Sequence, residues 1–285
     1  MTANAAVRVL TPCRSASAEL LKTLVSLSTQ DVGTARLEIA LLRRGGEPLL
    51  DGEIRLLCQA LDLRGVEEVD ASKLSTSQAL NLGATGGQAA TLALVPEGAR
   101  LHRRFLSRCL EAMAHSGADA AFSAHTAGLA DMRALIRRRP FRPEQLTRLN
   151  AVGPAALVRR SAWKRLGGLR AGVRLAQWDF WLRLLMAGGT IADIPELLAS
   201  CPPAERLPAR QDGQAKAMLV VCMPGAFEPD VCRWAMALLR GEPWADPFAM
   251  GRVPGPRDVA AMNSGLAAAL RSDPGLPAPG RLRSA

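Results

Sequence analysis

The residues of this chain that could do chemistry are few. In QWDFWLRLL, Asp179 is a carboxylate able to take a proton from a hydroxyl, whereas Gln177 can hydrogen-bond a hydroxyl but cannot accept its proton at neutral pH. Arg183 follows Asp179 by one helical turn, so an ordinary ion pair is the simpler reading of that carboxylate. Glu97 stands between Pro96 and Gly98 in a turn after the apolar run LALV. One carboxylate is a poor site for Mg2+ or Mn2+, and a solvated turn residue is the simpler reading. Arg43 and Arg44 close a second apolar run and, with Arg100, can offer positive charge to an anionic group. Gly83, Gly86 and Gly87 lack the spacing of a phosphate cradle and read as turn residues. The six cysteines form no C-x-x-C pair, and the three histidines are not at metal-ligand spacing with them. Neither zinc nor a disulfide framework is expected, and buried reduced thiols are.

The elements that must position these residues alternate. Val7 to Thr11 reads as a strand ending at Pro12, and Leu20, Leu24 and Leu27 give helical spacing. Leu37 to Leu42 is a second strand, and Ile54, Leu57 and Leu61 suggest a helix. Thr91 to Val95 is a strand, and Phe105 to Met113 carries a clean helical stripe. Ala118 to Phe122 reads as another strand. Such alternation predicts an α/β domain with a mostly parallel sheet, whose ligands bind at the carboxyl ends of the strands. The loops after Thr11, Leu42 and Val95 then lie near a common site. Past Cys201, prolines 202, 203 and 208 break the chain. Helices are expected around Gln214–Cys222, Pro229–Leu239 and Pro256–Leu270. The division is therefore residues 1–202, a helical extension over 203–272 and a disordered tail over 273–285.

The 285 residues are enough for one large domain with an appendage, and 48% are apolar, so a full core can form. The longest apolar runs, such as Ala217 to Met223, are too short to span a bilayer. With no targeting segment visible, a cytoplasmic location is expected, with contact to the inner face of a membrane left open. The net charge of +10 invites a nucleic-acid reading. It is set aside because the charge is almost all arginine and tyrosine is absent, so stacking platforms are scarce. The cluster Arg137, Arg138, Arg139 and Arg142 reads as a solvated basic face; a lipid-linked phosphate or an anionic membrane stays open as a partner.

Five segments, in order, resemble the family 2 glycosyltransferases over roughly residues 5 to 200. They are VRVLTP, LVSLSTQ followed by LEIALL, ALNLGATGG, PFRPEQLTRLNAVGPAALVRRSAWKRLGGL, and QWDFWLRLLMAGGTIADIPELLA. The resemblance implies a GT-A fold: a mostly parallel sheet flanked by helices, here with a helical C-terminal extension. It also implies a nucleotide-sugar donor, placed near Pro12, Arg43, Arg44, Asn81 and Glu97. The acceptor side falls at Arg159, Arg160 and Trp178, with Trp178 the best candidate to stack on a sugar. The catalytic position falls at Gln177, with Asp179 as a substitute. Trp178, Trp181, Leu182 and Leu185 also read as an apolar core stripe.

The chain departs from the family where acids matter. The family's Asp-Asp pair is Arg43-Arg44, its Asp-x-Asp is Pro96-Glu97-Gly98, the arginine of its Ala-Arg-Asn-x-Gly is Leu80, and its base is Gln177. A histidine after the last strand has no counterpart in CPPAERLPAR. No cofactor is expected, and neither Mg2+ nor Mn2+ is. The leading reading is a non-catalytic partner in polysaccharide or glycoconjugate assembly, joined to another protein or a second copy through its extension. The alternative is an active, metal-independent transferase.

Overall fold

The computed structural model describes residues 6–50, 52–127, 140–203, 207–245 and 251–272. Arg137, Arg138 and Arg139 of the basic cluster, and the tail at 273–285, lie outside them. The chain divides into two compact units. The first comprises 1–143, 151–172 and 176–205, and the second 144–150, 173–175 and 206–285.

Among the described residues, the first unit is built on one sheet of eight strands: β1 (Val7–Cys13), β2 (Leu37–Arg43), β3 (Val66–Asp70), β4 (Thr91–Leu94), β5 (Arg100–Leu101), β6 (Ala120–Ala127), β7 (Ala156–Arg159) and β8 (Ile191–Cys201). Their order is β3-β2-β1-β4-β7-β6-β8-β5. β1 runs parallel to β2 and β4, as β2 does to β3 and β6 to β8; β7 is antiparallel to both its neighbours, and β5 to β8. The expected α/β fold with a mostly parallel sheet is therefore present.

Among the described residues, six α-helices accompany the sheet: α1 (Ala18–Ser28), α2 (Glu53–Ala60), α3 (Thr76–Thr85), α4 (Phe105–Ser116), α5 (Arg160–Arg165) and α6 (Ala176–Met186). Leu20, Leu24 and Leu27 of α1 join Val7, Val9, Ile39 and Leu41 in one core with Phe105, Leu106 and Met113 of α4. Ser17 caps α1 by accepting the Leu20 N–H at 3.1 Å.

β1 does not stop at Pro12, as the sequence had implied, but continues to Cys13, with Pro12 opposite Leu42. The Leu10 carbonyl accepts the Val95 N–H, and the Cys13 carbonyl accepts that of Arg44. Alternation then turns Pro12 toward the β4 side, where pairing has already ended at Leu10–Leu94, so its missing N–H costs no ladder bond.

β3 and α3 had not been predicted. β3 reads VEEVD, too polar for a core strand, because it is the end strand of the sheet. α3 is opened by a capping box between Ser75 and Gln78. Gly83, expected in a turn, lies inside α3. A Cβ there would meet Leu42 Cδ2 at 2.5 Å, so glycine lets the helix lie close on β2. Beneath α3, Arg8 is buried in the central strand. Its Nε donates to the Gly83 carbonyl at 2.7 Å, and its guanidinium pairs with Glu38 and Glu67.

The second unit holds α7 (Ala209–Cys222), α8 (Pro229–Arg240) and α9 (Pro256–Ser272). It also takes in 144–150 and 173–175, which the sequence division had left in the first domain. Trp234 is fully buried, whereas Met218, Val221, Met236 and Leu239 stay exposed. Cys222 is exposed and Cys232 half-buried, which corrects the expectation that all the thiols are buried. Among the described residues, no helix is long and apolar enough to cross a membrane.

Asp258 ties this unit together, accepting the Gly255 N–H at 2.8 Å and pairing with Arg148 at 2.6 Å and Arg252 at 3.3 Å. The Gly255 N–H first, then the two arginines, hold its carboxyl below the ordinary value of 3.8. A carboxylate with a depressed folded-state pKa stabilises above its unfolded pKa and ceases to as pH falls through the folded one. Asp258→Asn should therefore lower stability by about 1 kcal/mol at pH 7. The difference from wild type should close below about pH 4, read from urea melts across pH 2.5–7.

Candidate functional site

The carboxyl ends of β1, β2 and β4 lie side by side, so that Pro12 and Arg43, at the ends of β1 and β2, neighbour Arg44 and Glu97 in the loops that follow β2 and β4. Arg43 does not face an open cleft. Its Nε donates to Glu68 Oε1 at 2.6 Å, one Nη pairs with Asp70 at 2.9 Å, and the other donates to the Gly45 and Gly46 carbonyls at 2.8 and 3.1 Å. Its side chain is only 13% exposed. The second oxygen of Glu68 accepts the Leu49 and Leu50 N–H groups at 2.8 and 3.0 Å. Arg43 thus pins the loop after β2 to the end of β3. Gly45 in that loop backs onto the loop after β1: a Cβ there would stand 1.9 Å from the Arg14 carbonyl oxygen. The sequence reading missed Glu68 and Asp70. Their alternate positions in VEEVD put both on one face of a strand, which is the signal that was there to find.

The Ser72 backbone N–H, then its hydroxyl, and more weakly Arg43, hold Asp70 below its ordinary range. Arg44 donates to Thr76 Oγ1 at 2.6 Å, while its Nε is buried with no partner. Glu97 accepts the Ser17 hydroxyl and, at 3.4 Å, the Arg14 N–H, so it bridges the β4 turn to the loop after β1. Cys13 beneath it is pushed up to about 12, by burial first and then by Glu97 and Glu68, so the thiol is not a nucleophile.

Side-chain oxygens are few around this turn. Pro96 and Gly98 bring no side-chain oxygen, and Glu97 already serves Ser17 and Arg14. One further carboxylate comes near: a Cβ on Gly98 would lie 3.0 Å from Glu19 Oε2. Glu19 is paired with Lys22. Among the described residues, no three His, Cys, Asp or Glu side chains are grouped to hold a metal.

The other sequence-derived candidates lie elsewhere. Arg159 ends β7, which is antiparallel to β4, and it pairs with Thr91 at the start of β4. An antiparallel strand delivers its last residue to the opposite end of the sheet from Glu97. There Arg159 donates to the Ala118 and Met113 carbonyls at 2.9 and 3.1 Å. Arg160 donates to the carbonyls of Ala89, Ala84 and Gly86, closing the end of α3. Burial, and then Arg8, lower its pKa.

Asp179 is fully buried on α6. It pairs with Arg183 at 2.8 Å and Arg170 at 3.2 Å. Arg183 also donates to the Leu166 and Gly168 carbonyls at 2.7 and 2.6 Å. Gly167 and Gly168 take φ of +71° and +68°, a turn that glycine accommodates freely. Asn81 of α3 holds the same turn, donating to the Leu169 carbonyl at 2.7 Å and accepting its N–H at 2.9 Å. Trp178 is 4% exposed and Trp181 fully buried. Gln177 is half-buried in the first turn of α6. As placed, Asp179 is an anchor for two guanidinium groups and Asn81 a clamp on a turn.

No family model matches the sequence, and no curated protein does. Solved structures do match the fold. A mannosyltransferase from Pyrobaculum calidifontis, PcManGT, in complex with GDP-Man and Mn2+, superposes with a TM-score of 0.61 at 17% identity, over 94% of this chain and 76% of that one. Residues 1–349 of S. aureus TarS give 0.57 at 9% identity, over 85% and 72%. Glucosyl-3-phosphoglycerate synthase from M. tuberculosis gives 0.53 at 14%, over 78% and 80%. With its strand order and these neighbours, the chain has the GT-A fold, as its five sequence segments had implied.

Proposed function

We propose that this chain is a glycosyltransferase-like protein that does not carry out metal-dependent transfer and serves as a non-catalytic partner in polysaccharide or glycoconjugate assembly. One observation carries the reading: the positions that resemble the family's donor site are engaged by the chain itself. Arg43 is committed to Glu68 and Asp70, and Glu97 to Ser17 and the Arg14 N–H. Asp179, the remaining carboxylate near the base position, sits between two arginines with no exposure. A cytoplasmic setting accords with this reading.

A second reading is favoured by one specific atom. Arg44 Nε is buried without a partner, as an arginine awaiting an anion would be. On that reading the protein is a metal-independent transferase whose arginines meet the donor diphosphate.

Thermal shift with UDP- and GDP-sugars at millimolar concentration, with and without Mn2+, separates the two. Ligand at 100 times its Kd stabilises by about 2.7 kcal/mol, which moves Tm by several degrees. The non-catalytic reading expects a shift below about 1 °C throughout. A shift of several degrees without metal favours the alternative. One that requires Mn2+ overturns both.

A further inference from the structure

We propose that the groove between α1 and β5 docks an amphipathic helix with an acidic flank, presented by a partner protein. The proposal stands on this groove alone and does not require the preceding reading of the donor positions.

The groove has a volume of about 400 Å3 and is lined by Leu21, Val25, Ser26, Thr29 and Leu101, with Lys22 and Arg100 beside them. α1 turns Leu20, Leu24 and Leu27 wholly into the core, yet Val25 on its outer side is 45% exposed. β5 is the last strand of the sheet, so the groove lies at a sheet edge.

Charge supplies the second half of the argument. From Arg100 the chain runs through His102, Arg103 and Arg104, all exposed. The acids nearby are already engaged: Glu19 with Lys22, Asp31 with the Ser107 hydroxyl, and Glu196 with Arg108. Among the described residues, Arg100 and Arg103 make no salt bridge. An apolar floor beside uncompensated positive charge complements a ridge of aliphatic side chains flanked by carboxylates, which is what an acidic amphipathic helix presents. A bilayer is the poorer occupant, because, of the apolar side chains that line the groove, only Val25 is largely exposed, too little to insert into lipid. A nucleic acid is poorer still, since the groove contains no aromatic ring on which a base could stack.

The test is fluorescence anisotropy of the full-length protein at physiological salt. The probe is a labelled helical peptide bearing leucines at i, i+3, i+4 and i+7, with glutamates flanking that stripe. A peptide of the same composition with the leucines dispersed is the control. The striped peptide is expected to bind at least about tenfold more tightly than the control. Val25→Glu and Arg100→Glu, both at exposed positions, should each weaken it by about tenfold, with Tm held within about 1 °C. Equal binding of the two peptides would reduce the effect to net charge and overturn the proposal. So would binding that both variants leave untouched, or no binding of the striped peptide. Sedimentation with phosphatidylglycerol vesicles, lost in Val25→Glu while the peptide fails to bind, would assign the surface to a membrane instead.

Discussion

Asp179→Asn lowers the stability of the first unit by about 3 kcal/mol, the expected cost of removing one partner from a buried ion pair. The carboxylate is fully buried, and Arg183, the closer partner, is only 10% exposed. Asparagine keeps the volume but leaves the Arg183 guanidinium without its counter-charge. Arg170 is 43% exposed and adds little. The damage should spread to the turn at Gly167–Gly168, because Arg183 also holds the Leu166 and Gly168 carbonyls. Urea denaturation reads the effect as a fall in midpoint at constant slope. If Asp179 were instead a catalytic base, the same substitution would abolish function while leaving the midpoint in place.

The second large effect concerns Arg43. Arg43→Asp places an acid where the resemblance to family 2 glycosyltransferases would put one, yet it should confer no nucleotide-sugar binding and should cost about 3 kcal/mol. The new carboxylate would lie among Glu68 and Asp70, and the loop carbonyls of Gly45 and Gly46 would lose their donor. Like charges placed together with no cation between them repel, and the loop after β2 would be released. Thermal melts with and without UDP-sugars check both parts. A nucleotide-dependent rise in Tm in this variant alone would mean that Arg43 acts as a removable block, so that the site beneath is intact.

The fold was legible wherever burial writes a pattern. β1, β2, β4 and the helices carrying Leu20, Leu24 and Leu27, or Phe105 and Met113, announce themselves because both faces of a central strand and one face of a covering helix must be apolar. β3 and α3 were missed for related reasons. An edge strand with one exposed side carries few apolar residues, and a glycine needed for close packing on Leu42 looks in sequence like a glycine needed for a turn.

The sequence by itself determined the α/β class of the first unit and which residues stand at positions 43, 44, 96, 98 and 177: two arginines, a proline, a glycine and a glutamine. Those are properties of local pattern and of residue identity, and no folding is needed to read them. Only the tertiary structure decided what the charged residues near them do. It set Arg43 against Glu68 and Asp70, fastened Glu97 to Ser17, buried Asp179 between two arginines, and sent Arg159 and Arg160 to the far end of the sheet. Each of these turns on which distant segment lies opposite and on strand direction. An ion pair between residues 43 and 68, or a hydrogen bond between 17 and 97, leaves no periodicity in the chain, because its partners meet only when the strands register.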